Sequence, residues 1–159
     1  HELVAEVTQQ LDDYTMGQAG DQIQTFLWDQ FADWYLETSK VRIFAAQKSD
    51  DPEVQAAAAQ ARRVLLYVLD TNLRLLHPFM PYVTEAIWQR LPHEGKSLVI
   101  AQWPQADKTP LHVDSEALAQ YSALQELVRT IRNARNEYKV APGRKIQVPV
   151  LACACVSPT

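Results

Sequence analysis

Residues 26–40 read FLWDQFADWYLETSK, and this stretch decides the fold. Successive residues of a helix lie about 100° apart around its axis, so apolar residues spaced by three or four share a face. One face here carries Leu27, Phe31, Trp34, Thr38, Val41 and Ala45, and the opposite face carries Asp29, Asp33, Glu37 and Lys40. The pattern predicts an amphipathic helix from about residue 21 to residue 47.

A shorter helix should precede it. Helical spacing over residues 2–14 places together Leu3, Val4, Val7 and Leu11. The segment from Met16 to Asp21 follows, and we expect it to interrupt or bend the chain between the two helices.

A third helix should run from Pro52 to about Leu76. Asp51 is a natural N-cap, and proline is favoured at the first helical position. Its predicted apolar face comprises Val54, Ala57, Ala61, Val64, Leu65, Val68, Leu69, Leu75 and Leu76. Asn72 lies in the middle of that face, so we expect it to bond a neighbouring backbone group or to fix the packing register.

Residues 75–88 read LLHPFMPYVTEAIW and separate this helix from the next. The residue before a proline is pushed out of the helical region, so His77-Pro78 should end the third helix. Pro81 should begin a fourth that stops near Pro92. Leu98 to Ala101 is then expected to be extended over the bundle.

The last long helix should begin at the capping residue Asp114 and continue to about Tyr138. Its predicted buried face comprises Leu118, Tyr121, Leu124, Val128 and Ile131. Ile146, Val148 and Val150 then alternate as in a strand. The expected fold is therefore mainly α, an antiparallel helix bundle over residues 1–140, with residues 141–159 beginning a truncated α/β region. Because the chain begins at His1 without methionine, we expect an excised domain.

Composition fits a folded protein, with 47% hydrophobic and 21% charged residues among 159. A formal net charge of −4 argues against a general nucleic-acid coat. The region from Arg129 to Lys145 nevertheless holds six basic residues and only one acidic residue, Glu137, which favours an anionic partner there. Cys153 and Cys155 are too close together to form a useful disulfide, so a reducing compartment is expected.

Catalytic patterns are absent from the sequence. It contains no glycine-rich phosphate loop, no His/Cys cluster with metal spacing and no serine nucleophile elbow. We therefore expect no catalytic residue, metal ligand or cofactor within these 159 residues.

Two arrangements suit RNA. Arg63, Tyr67, Asp70 and Arg74 form one stripe of the third helix, where an aromatic ring can stack on a base and a guanidinium can pair with phosphate. The alternative is a solvated face with an Asp70–Arg74 ion pair. Arg42 falls on the side of Trp28 and Tyr35 and is the second candidate. Farther along the chain the candidates are Arg132, Arg135 and Lys139, although Arg135 overlaps the predicted buried face.

Taken together, these stretches resemble the anticodon-binding domain of class I aminoacyl-tRNA synthetases, and most closely the valyl type. The first stretch is similar to the valyl-type helix through Asp33, Trp34, Tyr35, Glu37 and Lys40. The second, through His77, Pro78 and Pro81, is shared with the isoleucyl and leucyl enzymes. Residues 97–104 and 131–145 also resemble family segments. We expect most of these signature residues to build the bundle, with Lys40 paired to Asp33 or Glu37.

The resemblance implies a helix bundle that binds the anticodon stem and loop of a tRNA, here a valine-accepting one. ATP and Mg²⁺ would serve a catalytic domain absent from this sequence, and the other domains of the same synthetase would be partners. A further family helix would precede residue 1, and a coiled-coil arm would follow the strand region. The expected location is the cytoplasm, with an organelle as the alternative, and no membrane partner is expected. The alternatives are the isoleucyl or leucyl equivalent, and a helical protein-interaction module without RNA function.

Overall fold

The structure is a computed structural model that describes residues 2–106, 114–141 and 143–145. Its elements are α1 Glu2–Asp12, α2 Met16–Thr25, a π-helical segment Phe26–Leu36, α3 Glu37–Ala46, α4 Pro52–Leu76, α5 Pro81–Trp88, a 3-10 turn Leu98–Ile100 and α6 Ser115–Glu137. No strand occurs within those ranges, so the prediction of a mainly helical fold is confirmed. The predicted strand through Ile146, Val148 and Val150 lies outside the described residues.

The chain divides into two compact units, His1–Pro110 and Leu111–Thr159. In the first unit α1 packs on α2, α3 on α4, and α4 on α5, as in a bundle whose neighbouring helices are joined by short loops. The second unit contains α6. The boundary expected near residue 140, between the bundle and a following region, stays a prediction.

Helix α4 supplies residues to two apolar clusters of the first unit. Leu75 and Leu76 belong to the first, with α1 and α2 residues Val4, Val7, Ala19 and Ile23. Leu73 belongs to the second, with Trp88 and Leu98. Asn72 of the same helix is also buried, and its Nδ2 donates to the Val68 carbonyl at 2.8 Å, a local backbone bond of the kind expected.

The bend predicted from Met16 to Asp21 is wrong, because α2 already begins at Met16. The chain reverses one step earlier, where Tyr14 takes a positive φ of 58° and the amide of Thr15 donates to Gln10 O at 2.8 Å. A glycine inside a helix costs only about 0.5–1 kcal/mol relative to alanine. Burial of Ala19 and Ile23 against the core offsets that cost.

The π-helical segment explains why the predicted face fails beyond Phe31. Every fourth residue is buried or half-buried, namely Ala19, Ile23, Leu27, Phe31, Tyr35, Ser39 and Ile43. In an α-helix a four-residue step overshoots a full turn by about 40°, so such a row would wind around the axis. Hydrogen bonds between residues i and i+5 put more residues into each turn, so a four-residue step there falls short of a full turn. This shortfall compensates for the winding, and the row stays on one side of the helix. Val41 is consequently 70% exposed, and Thr38 and Ala45 are exposed as well, contrary to the prediction.

Small buried side chains lie on α3 and α4, which pack on each other. They are Ser39 and Ala46 on α3, and Ala58 and Ala61 on α4. Small residues at a helix crossing allow close approach of the two axes. The connection is closed by Gln55, whose Nε2 donates to Ala46 O at 2.6 Å and to Ser49 O at 2.8 Å.

The ends of α4 confirm the capping predictions. Asp51 accepts from the amide of Glu53 at 2.9 Å, with Pro52 in the first turn. The helix ends at Leu76 and α5 begins at Pro81, as predicted. The expected reason for the first end is wrong, because His77 keeps helical angles, with φ −57° and ψ −40°, although it precedes a proline. His77 Nδ1 lies 2.8 Å from Oγ1 of buried Thr84, which ties the end of α4 to the first turn of α5.

The Leu98 segment is not extended, contrary to expectation. It forms a single 3-10 turn that buries Leu98 and leaves Val99 and Ile100 exposed. Glu85 of α5 holds the turn, since its Oε2 accepts from Ser97 Oγ at 3.0 Å and from the Leu98 amide at 2.9 Å. Such tertiary bonds are not visible in a local apolar pattern.

Helix α6 begins as predicted, because Asp114 Oδ1 accepts from the amides of Glu116 and Ala117. The prediction of a buried face on this helix is wrong for Leu118, which is 63% exposed, and for Leu124, which is 48% exposed. Tyr121, Val128 and Ile131 are half-buried. Within residues 114–141 and 143–145 the second unit has no other helix to cover that face.

Replacing Glu85 by glutamine should weaken the acid dependence of folding. Its pKa is lowered from 4.5 by the hydrogen bond from Gln89, and further by those from Ser97 and the Leu98 amide. A lowered folded-state pKa means that the stabilisation is complete above pH 4.5 and is lost as the pH falls through the folded-state value. Denaturant midpoints between about pH 3 and pH 6 should therefore fall less steeply in Glu85→Gln than in the wild type. Exposed Glu94→Gln should keep the wild-type slope, and equal slopes for all three proteins would contradict the assignment.

Candidate nucleic-acid interface

The carboxylate of Asp70 joins three parts of the first unit. Oδ1 accepts from Trp88 Nε1 at 2.7 Å and from Arg74 Nη2 at 3.3 Å, while Oδ2 accepts from Arg74 Nε at 2.8 Å. Arg74 Nη1 in turn donates to the carbonyl of Gln102 at 3.0 Å. We call these four groups the Asp70 network. It links α4 to α5 and to the segment that follows the 3-10 turn.

An open cavity of about 200 Å³ lies beside the Asp70 network. It is lined by Val4, Tyr67, Asp70, Thr71, Arg74, Gln102, Trp103, Pro104 and Gln105, and we call it the Tyr67 cavity. The Trp103 ring is held by its Nε1, which donates to Thr8 Oγ1 of α1 at 2.8 Å. Three separate stretches of the chain therefore build its wall.

The structure brings together three of the four residues in the predicted α4 stripe. Tyr67, Asp70 and Arg74 line the Tyr67 cavity, whereas Arg63 is exposed one turn before it and does not line it. The Asp70–Arg74 ion pair considered as the alternative is present. A guanidinium has five N–H donors, and Arg74 uses three of them in the described part of the chain. Two donors remain for a ligand.

Arg42 is exposed and makes no hydrogen bond or ion pair with a described residue. Of the two rings expected beside it, Trp28 is 66% exposed. Tyr35 belongs to the half-buried row and stacks on Phe31, with ring centroids 6.4 Å apart. Arg42 is therefore free to meet a partner, although Tyr35 is engaged within the fold.

Only some of the signature residues make contacts inside the fold, since Glu37, Pro78 and Pro81 are exposed. Lys40 pairs with Glu37, as one of the two expected partners. His77 bonds Thr84, and Trp34 is half-buried. Asp33 is exposed.

In the second unit Arg135 shapes the end of α6. Its guanidinium donates to Ala141 O at 2.9 Å and to Arg144 O at 3.1 Å. The backbone closes in a Schellman motif, in which the amide of Val140 bonds Arg135 O and that of Lys139 bonds Asn136 O. Lys139 occupies the left-handed position with φ 49°. Arg132, Lys139, Arg144 and Lys145 are exposed around this turn.

Six wall residues of the Tyr67 cavity were not predicted as site residues, namely Val4, Thr71, Gln102, Trp103, Pro104 and Gln105. Gln102, Trp103 and Gln105 follow the 3-10 turn and lie about thirty residues beyond the α4 stripe. Only the Trp-Pro pair at 103–104 marked that segment, and nothing local indicated which helix it contacts. The bond from Trp88 to Asp70 was likewise not foreseen, because it joins two helices across a turn.

Among the described residues, no group of three or more His, Cys, Asp or Glu side chains could hold a metal ion. No helix in the described ranges is both long and apolar enough to cross a membrane.

Comparisons with known proteins agree on one family. A family model described as the anticodon-binding domain of tRNA ligase matches residues 1–150. The valine–tRNA ligase of Bacillus subtilis (strain 168) is 41% identical over 148 residues, which are 93% of this chain and 16% of that protein. The enzyme of the same name from Carboxydothermus hydrogenoformans is 42% identical over 146 residues, or 92% of this chain and 16% of that protein. The chain thus spans about one sixth of the length of the curated relatives it matches.

Replacing Asp70 by alanine should destabilise the first unit by about 2 kcal/mol, because the fully buried indole N–H of Trp88 would lose its acceptor. Equilibrium denaturation followed by tryptophan fluorescence measures the loss. The exposed acid Asp50 serves as the control, and Asp50→Ala should change stability by less than 0.5 kcal/mol, within the usual surface range of about ±0.5. Similar losses for both variants would remove the special role of Asp70.

Replacing Arg135 by alanine should loosen the turn after α6. Loss of its bonds to Ala141 O and Arg144 O should speed hydrogen exchange at the Arg144 amide by about tenfold, the equivalent of one ordinary hydrogen bond. Arg135→Lys keeps the charge but lacks the planar fork, so its exchange should resemble that of the alanine variant. Wild-type exchange in Arg135→Lys would show that charge alone matters.

Proposed function

The chain belongs to the family of anticodon-binding domains of tRNA ligases, and from this premise we propose that it holds the anticodon stem and loop of a valine-accepting tRNA. The observation that carries the proposal is the family match over residues 1–150. The names of the relatives support valine in particular. The domain's task is to position the tRNA so that its acceptor end reaches an active site elsewhere in the parent protein.

The parent in this proposal is a valine–tRNA ligase, which uses ATP to attach valine to its tRNA. ATP and Mg²⁺ would bind its catalytic domain, and the remaining domains of that enzyme are the expected protein partners. A cytoplasmic location is part of the same proposal. The isoleucyl or leucyl equivalent is the rival within the family, and charging of valine, isoleucine and leucine by the full-length parent distinguishes the three.

Phosphate and base contacts divide among the candidate residues. Arg42 and Arg63 are exposed and are suited to phosphate, which positions RNA without reading its sequence. Tyr67 and Arg74 line a cavity and are suited to the loop. In the second unit Arg132 and Lys139 are assigned to the tRNA body, together with Arg135, whose guanidinium also holds the turn after α6.

A helical protein-interaction module without RNA function is the alternative of a different class. Exposed apolar side chains on the first unit, such as Trp28 and Tyr82, would suit that alternative. Binding that depends on phosphate must weaken as salt is added, because neutralising phosphates releases counterions. Salt dependence therefore separates the two functions.

Charge reversal at Arg42 and Arg63 together should weaken tRNA binding without unfolding the chain. Each lost phosphate contact should reduce the slope of log affinity against log salt by about one, so the double variant should lose about two. The affinity of the 159-residue chain for a valine-accepting tRNA is measured at several salt concentrations, with circular dichroism as the folding check.

Arg90→Glu is the matched control, since Arg90 is exposed in the same unit and has no assigned contact. It changes the net charge by half as much as the double variant, so a general charge effect can be subtracted. A double variant that binds with the wild-type slope would contradict the assignment of both residues. A wild-type affinity that does not respond to salt would favour the protein-interaction module.

A further inference from the structure

We propose that the Tyr67 cavity receives one unpaired base of the bound RNA. The inference rests on the proposed function, because it specifies which part of an RNA this site takes. It goes further in assigning a base, and not a phosphate, to a cavity built jointly by α1, α4 and residues 102–105.

The volume of the Tyr67 cavity restricts which ligands it can hold. At about 200 Å³ the Tyr67 cavity is smaller than the roughly 300–1,000 Å³ typical of sites for drug-sized molecules. An open cavity of this size has room for one flat ring system whose backbone stays outside. A nucleotide turned out of a single-stranded loop has that shape, and unstacked loop bases are what proteins read in RNA.

Unused polar groups in the wall match the edge of a base. The Tyr67 hydroxyl and the side-chain amides of Gln102 and Gln105 make no hydrogen bond with any described residue. A glutamine amide both donates and accepts, which is what the mixed edge of a base requires. Arg74 adds its two remaining N–H donors.

Charge in the wall disfavours a phosphate. Asp70 brings a carboxylate to the cavity, and the guanidinium of Arg74 is already bonded to it through Nε and Nη2. The pair is close to neutral, so a phosphate would meet a carboxylate and no net positive charge. Arg63 lies four residues before Tyr67 on the same side of α4 and is exposed, so the phosphate next to an inserted base has its own partner outside the cavity.

Aromatic rings in the wall supply stacking surfaces. Trp103 is fixed in orientation by its bond to Thr8, and Tyr67 is contributed by a different element, α4. Base–aromatic stacking contributes to affinity whatever the base, whereas the amides add preference among bases. The wall therefore has both parts of a base-reading site.

Removing the base should cost about tenfold in affinity, and removing the polar wall should cost part of that, so the two losses together should be smaller than their product. The 159-residue chain is titrated with an anticodon stem-loop RNA in which each unpaired loop nucleotide in turn is abasic. Wild-type affinity should fall about tenfold at one loop position only. The variant Tyr67→Phe/Gln102→Ala keeps the rings and the backbone bond to Arg74. It should bind the intact RNA more weakly than the wild type does, and the abasic change at that position should cost it less affinity than it costs the wild type, because only stacking is left to lose.

Gln60→Ala is the matched control, because Gln60 is an exposed glutamine of α4 outside the cavity, and it should behave like the wild type. If the losses in affinity from the abasic change and from the cavity variant simply multiply, or if the cavity variant binds like the wild type, the base site is contradicted. In either case the binding of RNA by the chain remains supported. If the wild type binds none of the stem-loops, the proposed function fails together with the base site.

Discussion

The carboxylate of Asp70 is the constraint on which the first unit depends. It accepts from the buried indole of Trp88 and from the guanidinium of Arg74, and Arg74 carries the link on to the Gln102 backbone. Apolar packing would hold α5 against α4, but it would not fix the position of α5, because it has no preferred direction. The directional bonds of one partly exposed acid fix where α5 and the following segment lie. They also build part of the wall of the Tyr67 cavity.

Local chemistry in the sequence predicted the ends of helices well. Asp51 and Asp114 cap amides only a few residues away, and Pro52 and Pro81 lie in the first turn of their helices, so the local sequence is enough to predict their effect. The predictions that are wrong concern segments whose local structure is decided by contact with residues far away in the sequence. The unfavourable effect of the glycines near Met16 on helix formation is offset by the burial of Ala19 and Ile23. The turn at Leu98 is held by Glu85, whose carboxylate accepts a hydrogen bond from the Leu98 amide.

The contacts of the candidate site divide in the same way into local ones, which the sequence predicts, and long-range ones, which it does not. The Asp70–Arg74 pair is four residues apart on one helix and could be anticipated from spacing. Its third member, Trp88, and the wall at Gln102 are contributed from across a turn and a loop, which spacing on one helix does not reveal. Arg135 was expected to face RNA, and its contacts with two carbonyls add a structural task that charge counting could not foresee.

The wide turns between Phe26 and Leu36 decide which way the rest of the helix faces. Each residue of a wide turn advances the chain around the axis by less than the roughly 100° of an α-helix. If the same eleven residues took up ordinary α-helical bonding, everything after Leu36 would rotate about the axis, and Ser39 and Ala46 would leave their buried positions. Backbone pitch, and not the side-chain pattern alone, therefore orients α3 toward α4.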